Sequence, residues 1–222
     1  MDRFYWWLYA ALLLALVACD DGVTREHWDN GKLKSELRYV DGKLNGESMW
    51  YTRDGRPLSQ AYYVNDTLEG RYQRWHQNGQ LSEEGWFKHG LRDSLWRTFS
   101  EEGILMAEDH YADGQLNGES RKWYDNGQLF QEGQYVDGMM DGSWFIFYPS
   151  GAMAGKAEYH RGTGKQTGYD ESGYKCMEVS YVDNVKQGKE VYFNPDGSVA
   201  KVVEYEQGKV VQEDDDLQNA TE

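Results

Sequence analysis

Proline is almost missing from this sequence, with 3 in 222 residues, and cysteine occurs twice. So little proline, together with glycine far below one-third, excludes a collagen-like chain, and it suits paired strands, where proline would remove ladder hydrogen bonds. Positive charge is also scarce: 23 Lys and Arg stand against 38 Asp and Glu, for a net charge of −15. A phosphate backbone is repelled by such a chain, so no nucleic-acid partner is expected. Beyond residue 19 there is no apolar stretch with helical periodicity. The 5 histidines (His27, His76, His89, His110 and His160) form no His-x-x-x-His or His-Glu-x-x-His pattern, and no Cys-x-x-Cys is present. Neither a metal nor a cofactor is therefore expected. Gly-x-Ser-x-Gly and Gly-x-x-x-x-Gly-Lys-Ser/Thr are missing too, leaving no catalytic residue to nominate and no enzyme to expect.

What the sequence has in excess is glycine (25) and aromatic residues (9 Trp, 17 Tyr, 7 Phe). A disordered chain lacks aromatics, so disorder is excluded as well. The two excesses share one register. Gly31, Gly55, Gly79, Gly103, Gly127, Gly151, Gly173 and Gly197 follow one another at 24 residues, except for one step of 22. Eight residues after each comes an aromatic: Tyr39, Tyr63, Phe87, Tyr111, Tyr135, Tyr159, Tyr181 and Tyr205. Four residues before the last seven stand Tyr51, Trp75, Phe99, Trp123, Phe147, Tyr169 and Phe193. Two further glycine columns, headed by Gly42 and Gly46, complete the pattern. Asp66 and Asn184 replace glycine in the first, and both residue types tolerate positive φ. Ser94 replaces it in the second.

Each unit has the marks of a β-hairpin. Lys32–Tyr39 alternates as a strand, Asp41–Gly46 is expected to turn, Glu47–Thr52 forms the returning strand, and Arg53-Asp54-Gly55 turns into the next unit. Asn-Gly and Asp-Gly recur as hairpin signals at Asn30-Gly31, Asn78-Gly79, Asn126-Gly127 and Asp196-Gly197. The two residues missing from the short unit fall between Gly162 and Gly164 and are assigned to a turn. The expected fold is all-β: an elongated, twisted antiparallel meander of tandem β-hairpin repeats, about eight units of 24 residues and about sixteen strands. At about 4.8 Å per strand it would extend for about 75 Å. Both aromatic columns are expected to form its packing, and Cys176 is expected on a strand.

The first residues belong to a separate element. Phe4–Ala18 are apolar or aromatic and follow Arg3, and they end in Leu16-Val17-Ala18-Cys19. This resembles the bacterial lipobox, which implies a signal peptide over 1–18 and acylation of Cys19. Asp20 and Asp21 resemble the signal that retains lipoproteins in the inner membrane of Gram-negative bacteria. The implied division is a signal peptide at 1–18, a lipidated terminus and linker at 19–26, the repeats at 27–210 and an acidic disordered tail at 211–222. The implied location is the cell envelope, lipid-anchored and facing the periplasm.

The segment Tyr111-Ala-Asp-Gly114-Gln-Leu-Asn-Gly118-Glu-Ser-Arg-Lys-Trp123-Tyr-Asp-Asn-Gly127 resembles a MORN repeat, in the variant form found in bacteria. The resemblance runs over residues 27–210. It implies a repeat scaffold or membrane-associated adaptor, and proteins grouped as YwqK-type antitoxins share it.

One polar column is notable: Glu36, Gln60, Glu84, Glu108, Glu132 and Glu178, each five residues after its glycine, interrupted by Lys156 and Val202. Its parity places it on the face opposite the Tyr39 column, where an ordinary solvated face is expected in preference to a ladder for a basic partner. The candidate partner surface is aromatic: Tyr51, Trp75, Phe99, Trp123 and Phe147, with Tyr63, Phe87, Tyr111 and Tyr135. The expected function is a non-catalytic, membrane-anchored scaffold that binds another protein at the envelope. The partners are one unidentified protein and, through Cys19, the bilayer; the oligomeric state is left open. The alternative is an antitoxin or immunity-like protein that neutralises a toxin, and an enzyme with an unrecognised hydrolytic site ranks last.

Overall fold

The computed structural model describes residues 22–214. The signal-peptide and lipidation residues, Cys19, Asp20 and Asp21 included, lie outside the described residues, as does the tail from 215 onward.

Every regular element among the described residues is a β-strand, and the strands make one antiparallel sheet in chain order. Eight hairpins account for most of it. They are β2 (Leu33–Val40) with β3 (Lys43–Tyr51), β4 (Pro57–Val64) with β5 (Thr67–Trp75), and β6 (Leu81–Lys88) with β7 (Leu91–Phe99). Next come β8 (Leu105–Ala112) with β9 (Gln115–Trp123), β10 (Leu129–Val136) with β11 (Met139–Phe147), and β12 (Met153–His160) with β13 (Thr163–Tyr169). The last two are β14 (Lys175–Val182) with β15 (Val185–Lys186) and β16 (Gly188–Phe193), and β17 (Val199–Glu206) with β18 (Lys209–Asp214).

The described residues form 18 strands where about sixteen were expected. One addition is β1 (Val23–His27), which pairs with β2 inside the stretch taken as linker. The other comes from a break at Gln187 that divides β15 from β16. At the far end β18 carries strand structure to Asp214, into the stretch taken as tail.

The hairpin turn is shorter than the expected Asp41–Gly46. Val40 pairs directly with Lys43, so Asp41 and Gly42 alone make the turn, at φ 50° and 75°. Two consecutive left-handed residues define a type I′ turn, whose twist matches that of the strands it joins. All eight hairpins repeat it, and Asp66 (φ 67°) and Asn184 (φ 64°) hold the glycine position as expected. The first position is left-handed as well, even where it is His89, Arg161 or Gln207.

Gly46 lies inside β3, at φ 112°, and marks a bulge. Leu37 pairs with Ser48 but Tyr39 pairs with Leu44, so β3 carries two residues more than β2 across the same span. The same displacement occurs in β4–β5, β6–β7, β8–β9 and β10–β11. In β12–β13 it is missing: pairing runs without a break from Gly155–Gly168 to His160–Thr163. The two residues lost from the short unit are therefore bulge residues, and its turn is intact. Asn184 then reaches back across Gly162: its Oδ1 accepts from the Met140 amide at 2.9 Å, and its Nδ2 donates to the Gly138 carbonyl at 2.9 Å.

Bulges bend a strand and increase its twist, which lets a single sheet cover much of its own concave side. On this inner face Val179 is 1% exposed, Trp96 2% and Trp144 5%, although no second layer among the described residues lies over them. Large residues face small ones at three places along one cross-strand row: Ala61 lies opposite Tyr72, Tyr72 opposite Gly85, and Trp144 opposite Ala157. The Trp96 and Trp144 indoles lie over Gly85 and Gly133, so close that a Cβ on either glycine would fall within 3.0 Å of ring carbons. Each indole Nε1 donates to a backbone carbonyl, that of Trp86 (3.1 Å) or Gln134 (3.2 Å). Gly133→Ala is expected to destabilise the protein by about 1–3 kcal/mol through overpacking, read as a lower denaturation midpoint. An unchanged midpoint would show that the Trp144 ring does not rest on residue 133.

Candidate interaction surface

The two aromatic columns occupy opposite faces. Tyr63, Phe87, Tyr111 and Tyr135 are on the inner face, in edge contact with Trp50, Trp96 and Trp144. Ring centroids lie 5.0–6.3 Å apart in these pairs. Tyr51 is on the outer face, where its hydroxyl donates to Glu36 at 3.1 Å. Tyr169 and Phe193 in the same register lie under Lys156 and Lys175. Trp75, Phe99, Trp123 and Phe147 hold the equivalent position, all half-buried. The pairing of Tyr63 with Gly46, five residues before Tyr51, separates this column from the inner one. The nine aromatics expected to form one partner surface are thus divided between two faces.

The glutamate column is also on the outer face, and the chain's own cations are bonded to it. The row runs Gln73, Glu84, Arg97, Glu108, Arg121, Glu132, each paired with the next across neighbouring strands. Arg97 Nε donates to Glu108 at 2.8 Å and its Nη1 lies 3.7 Å from Glu84. The hydrogen bond to Glu108 raises the Arg97 pKa. Further along, Lys165 (2.6 Å) and Lys175 (2.7 Å) both bond Glu178, and these bonds lower its pKa. Opposite charges facing each other across strands stabilise the sheet by roughly 0.2–1 kcal/mol per pair.

Two large aromatics break this polar face. Trp86 is 52% exposed and Tyr62 is 44% exposed, and both flank Gly70, whose missing side chain leaves room between them. Beside Trp86 is an open hollow of about 370 Å³, lined by Arg71, Glu84, Leu95 and Arg97 among others. Hollows at the equivalent place occur 48 residues to either side, with Arg38 and Gln134 where this one has Trp86. An exposed Trp and Tyr beside arginines is the composition of an interface anchor. The sequence columns did not show these two residues because they belong to a position that is otherwise variable: Arg38, Tyr62, Trp86, His110, Gln134, Glu158, Ser180, Glu204. Their departure from that position's polar character is the signal that could have found them.

A second period of 48 residues runs through the turns. The side chains of Trp28, His76 and Tyr124 each bond the carbonyl 23 residues on, at Tyr51, Phe99 and Phe147. Asn30, Asn78 and Asn126 do the same to Arg53, Glu101 and Pro149. Of the other histidines, His110 Nδ1 lies 3.0 Å from the Glu119 carbonyl, and the exposed His89 and His160 approach Glu69 and Asp141. Cys176 is half-buried on β14, and burial raises its pKa away from thiolate reactivity. No group of three or more metal-binding side chains occurs among the described residues.

Three stretches, residues 20–41, 68–89 and 116–137, match the family model of the MORN repeat variant, and they too recur every 48 residues. Repeats of this kind suggest a repeat scaffold for protein or membrane interaction. No curated protein matches the sequence. Among solved structures, the crystal structure of TcdB2-TccC3 aligns with 82% of this chain at 11% identity and a TM-score of 0.18. This chain spans 14% of that one.

The ion pairs give the surface a defined acid response. Glu178 has a folded pKa below its ordinary 4.5, so its contribution is present above that pH and is lost as pH falls through the folded value. Glu178→Gln is expected to reduce the loss of stability on acidification below about pH 4.5. Denaturation midpoints measured at neutral pH and well below pH 4.5 check this, and equal acid losses in both proteins would contradict it.

Proposed function

We propose that this chain is a non-catalytic scaffold that binds another protein through the outer-face patch around Trp86, while a lipid on Cys19 holds it at the cell envelope. The observation that carries the reading is the exposed Trp86–Tyr62 pair. It stands beside Arg71 and Leu95 on a face where most other large side chains are ion-paired or half-covered. Burying Trp86 against a partner would remove one of the largest exposed apolar groups of the sheet from water. The support for the anchor is the apolar run Phe4–Ala18 ending in Leu16-Val17-Ala18-Cys19.

A photo-crosslinking residue placed at Tyr62 is expected to give a discrete protein adduct in the native cell. The same probe at Glu158, which holds the equivalent position four units on, is expected to give none. Trp86→Ser should abolish the Tyr62 adduct without altering the amount of protein. Equal adducts at both sites, or none at either, would contradict the binding face. The anchor is read independently: Cys19→Ser is expected to move the protein from the membrane to the soluble fraction, and unchanged fractionation would contradict it.

A further inference from the structure

The inner face has its own hollow, away from Trp86 and independent of the role proposed above. It measures about 250 Å³ and lies over β10–β14, around the unit that lacks the bulge. Its origin is visible in the repeat. Seven residues before their glycines, Trp96 and Trp144 fill the inner face, and the short unit has Gln166 there. Five residues before, Ile146 is succeeded by Gly168, and Gly155 faces Gly168 across the strands. Smaller side chains therefore leave a space that the preceding unit fills with Trp144 and Ile146.

The walls of that space are rings. Tyr135 and Trp144 stand on one side and Tyr159 and Tyr181 on the other, each pair in edge contact. No charged residue lines it, in a chain of net charge −15. Its polar groups are neutral: two amides, Gln131 and Gln166, and three phenols whose pKa values burial raises, so they stay protonated. Among the described residues, none of these five side chains has a hydrogen-bond partner. An apolar cavity of about 150 Å³ takes up benzene, so 250 Å³ suits a ring system one size larger. Flat aromatic walls select a flat guest, and uncharged walls with idle amides select a neutral one with a polar edge.

We propose that this hollow binds a neutral bicyclic aromatic ring of the indole class, stacked between the tyrosines and hydrogen-bonded at its edge by Gln166 or Gln131. The ring could come from a free indole compound or from a tryptophan side chain of another polypeptide. Saturation-transfer NMR on the full chain distinguishes these, using indole and N-acetyl-tryptophanamide as probes and indole-3-acetate as the charged comparison. Saturation of indole without the amide identifies a free compound as the source; saturation of the amide, with or without indole, identifies a side chain. Gln166→Tyr recreates the Ala61–Tyr72 pairing over Ala157 and fills the space, so it should weaken binding by about tenfold or more while the protein stays folded. If that variant does not fold, Gly168→Ile fills the same space with the residue that the preceding unit carries as Ile146. The proposal is overturned if neither neutral probe is saturated, if a folded, filled variant binds as well as the parent, or if indole-3-acetate binds as tightly as indole.

Discussion

Register governs this molecule. A strand shifted by one residue exchanges its two faces entirely, and in a one-layer sheet of 18 strands a single slip would invert everything beyond it. The type I′ turn prevents this, because two adjacent left-handed residues allow one pairing of the flanking strands. The bulge headed by Gly46 then admits two extra residues on the returning strand, an even number, so the faces are conserved while the sheet bends. The short unit loses two residues together and stays in phase for the same reason.

With the faces fixed, the two sides take different tasks. The inner side closes on itself, Trp96 and Trp144 resting on glycines, and holds its stability in ring contacts. The outer side is a lattice of cross-strand ion pairs in which Arg97 and Arg121 alternate with glutamates. Such a lattice is well hydrated and presents little for a partner to desolvate profitably, so the proposed binding site is where it is interrupted, at Tyr62 and Trp86. The repeat builds the sheet, and the proposed sites lie at its irregular positions: an aromatic pair outside, and a hollow inside where the short unit has Gln166 and Gly168 in place of Trp144 and Ile146.

The architecture was legible in the sequence because glycine and aromatic residues recur in step, and because Asp66 and Asn184 substitute where positive φ is needed. The bulge was not, since a glycine in a turn and a glycine in a bulge leave the same mark at the same spacing. Nor was the division of the aromatics: Tyr51 and Tyr63 look alike as columns, and only the pairing of Tyr63 with Gly46, five residues before Tyr51, puts the two on opposite faces. The glutamate column was placed on its correct face by parity, while its partners Arg97 and Arg121 are several residues away in sequence and gave no local signal. Trp86 was hidden by a search for what repeats, being a residue that does not.

The central claim is that the sheet has one closed face and one open face, and fluorine NMR of the protein labelled with 5-fluorotryptophan tests it most directly. With each resonance assigned by single Trp→Phe replacement, the shift on exchanging H₂O for D₂O reports solvent contact at the ring. Trp86, 52% exposed, is predicted to show a large isotope shift, and Trp96 and Trp144, at 2% and 5%, almost none. Comparable shifts at all three would contradict the two-faced sheet and every functional inference built on it.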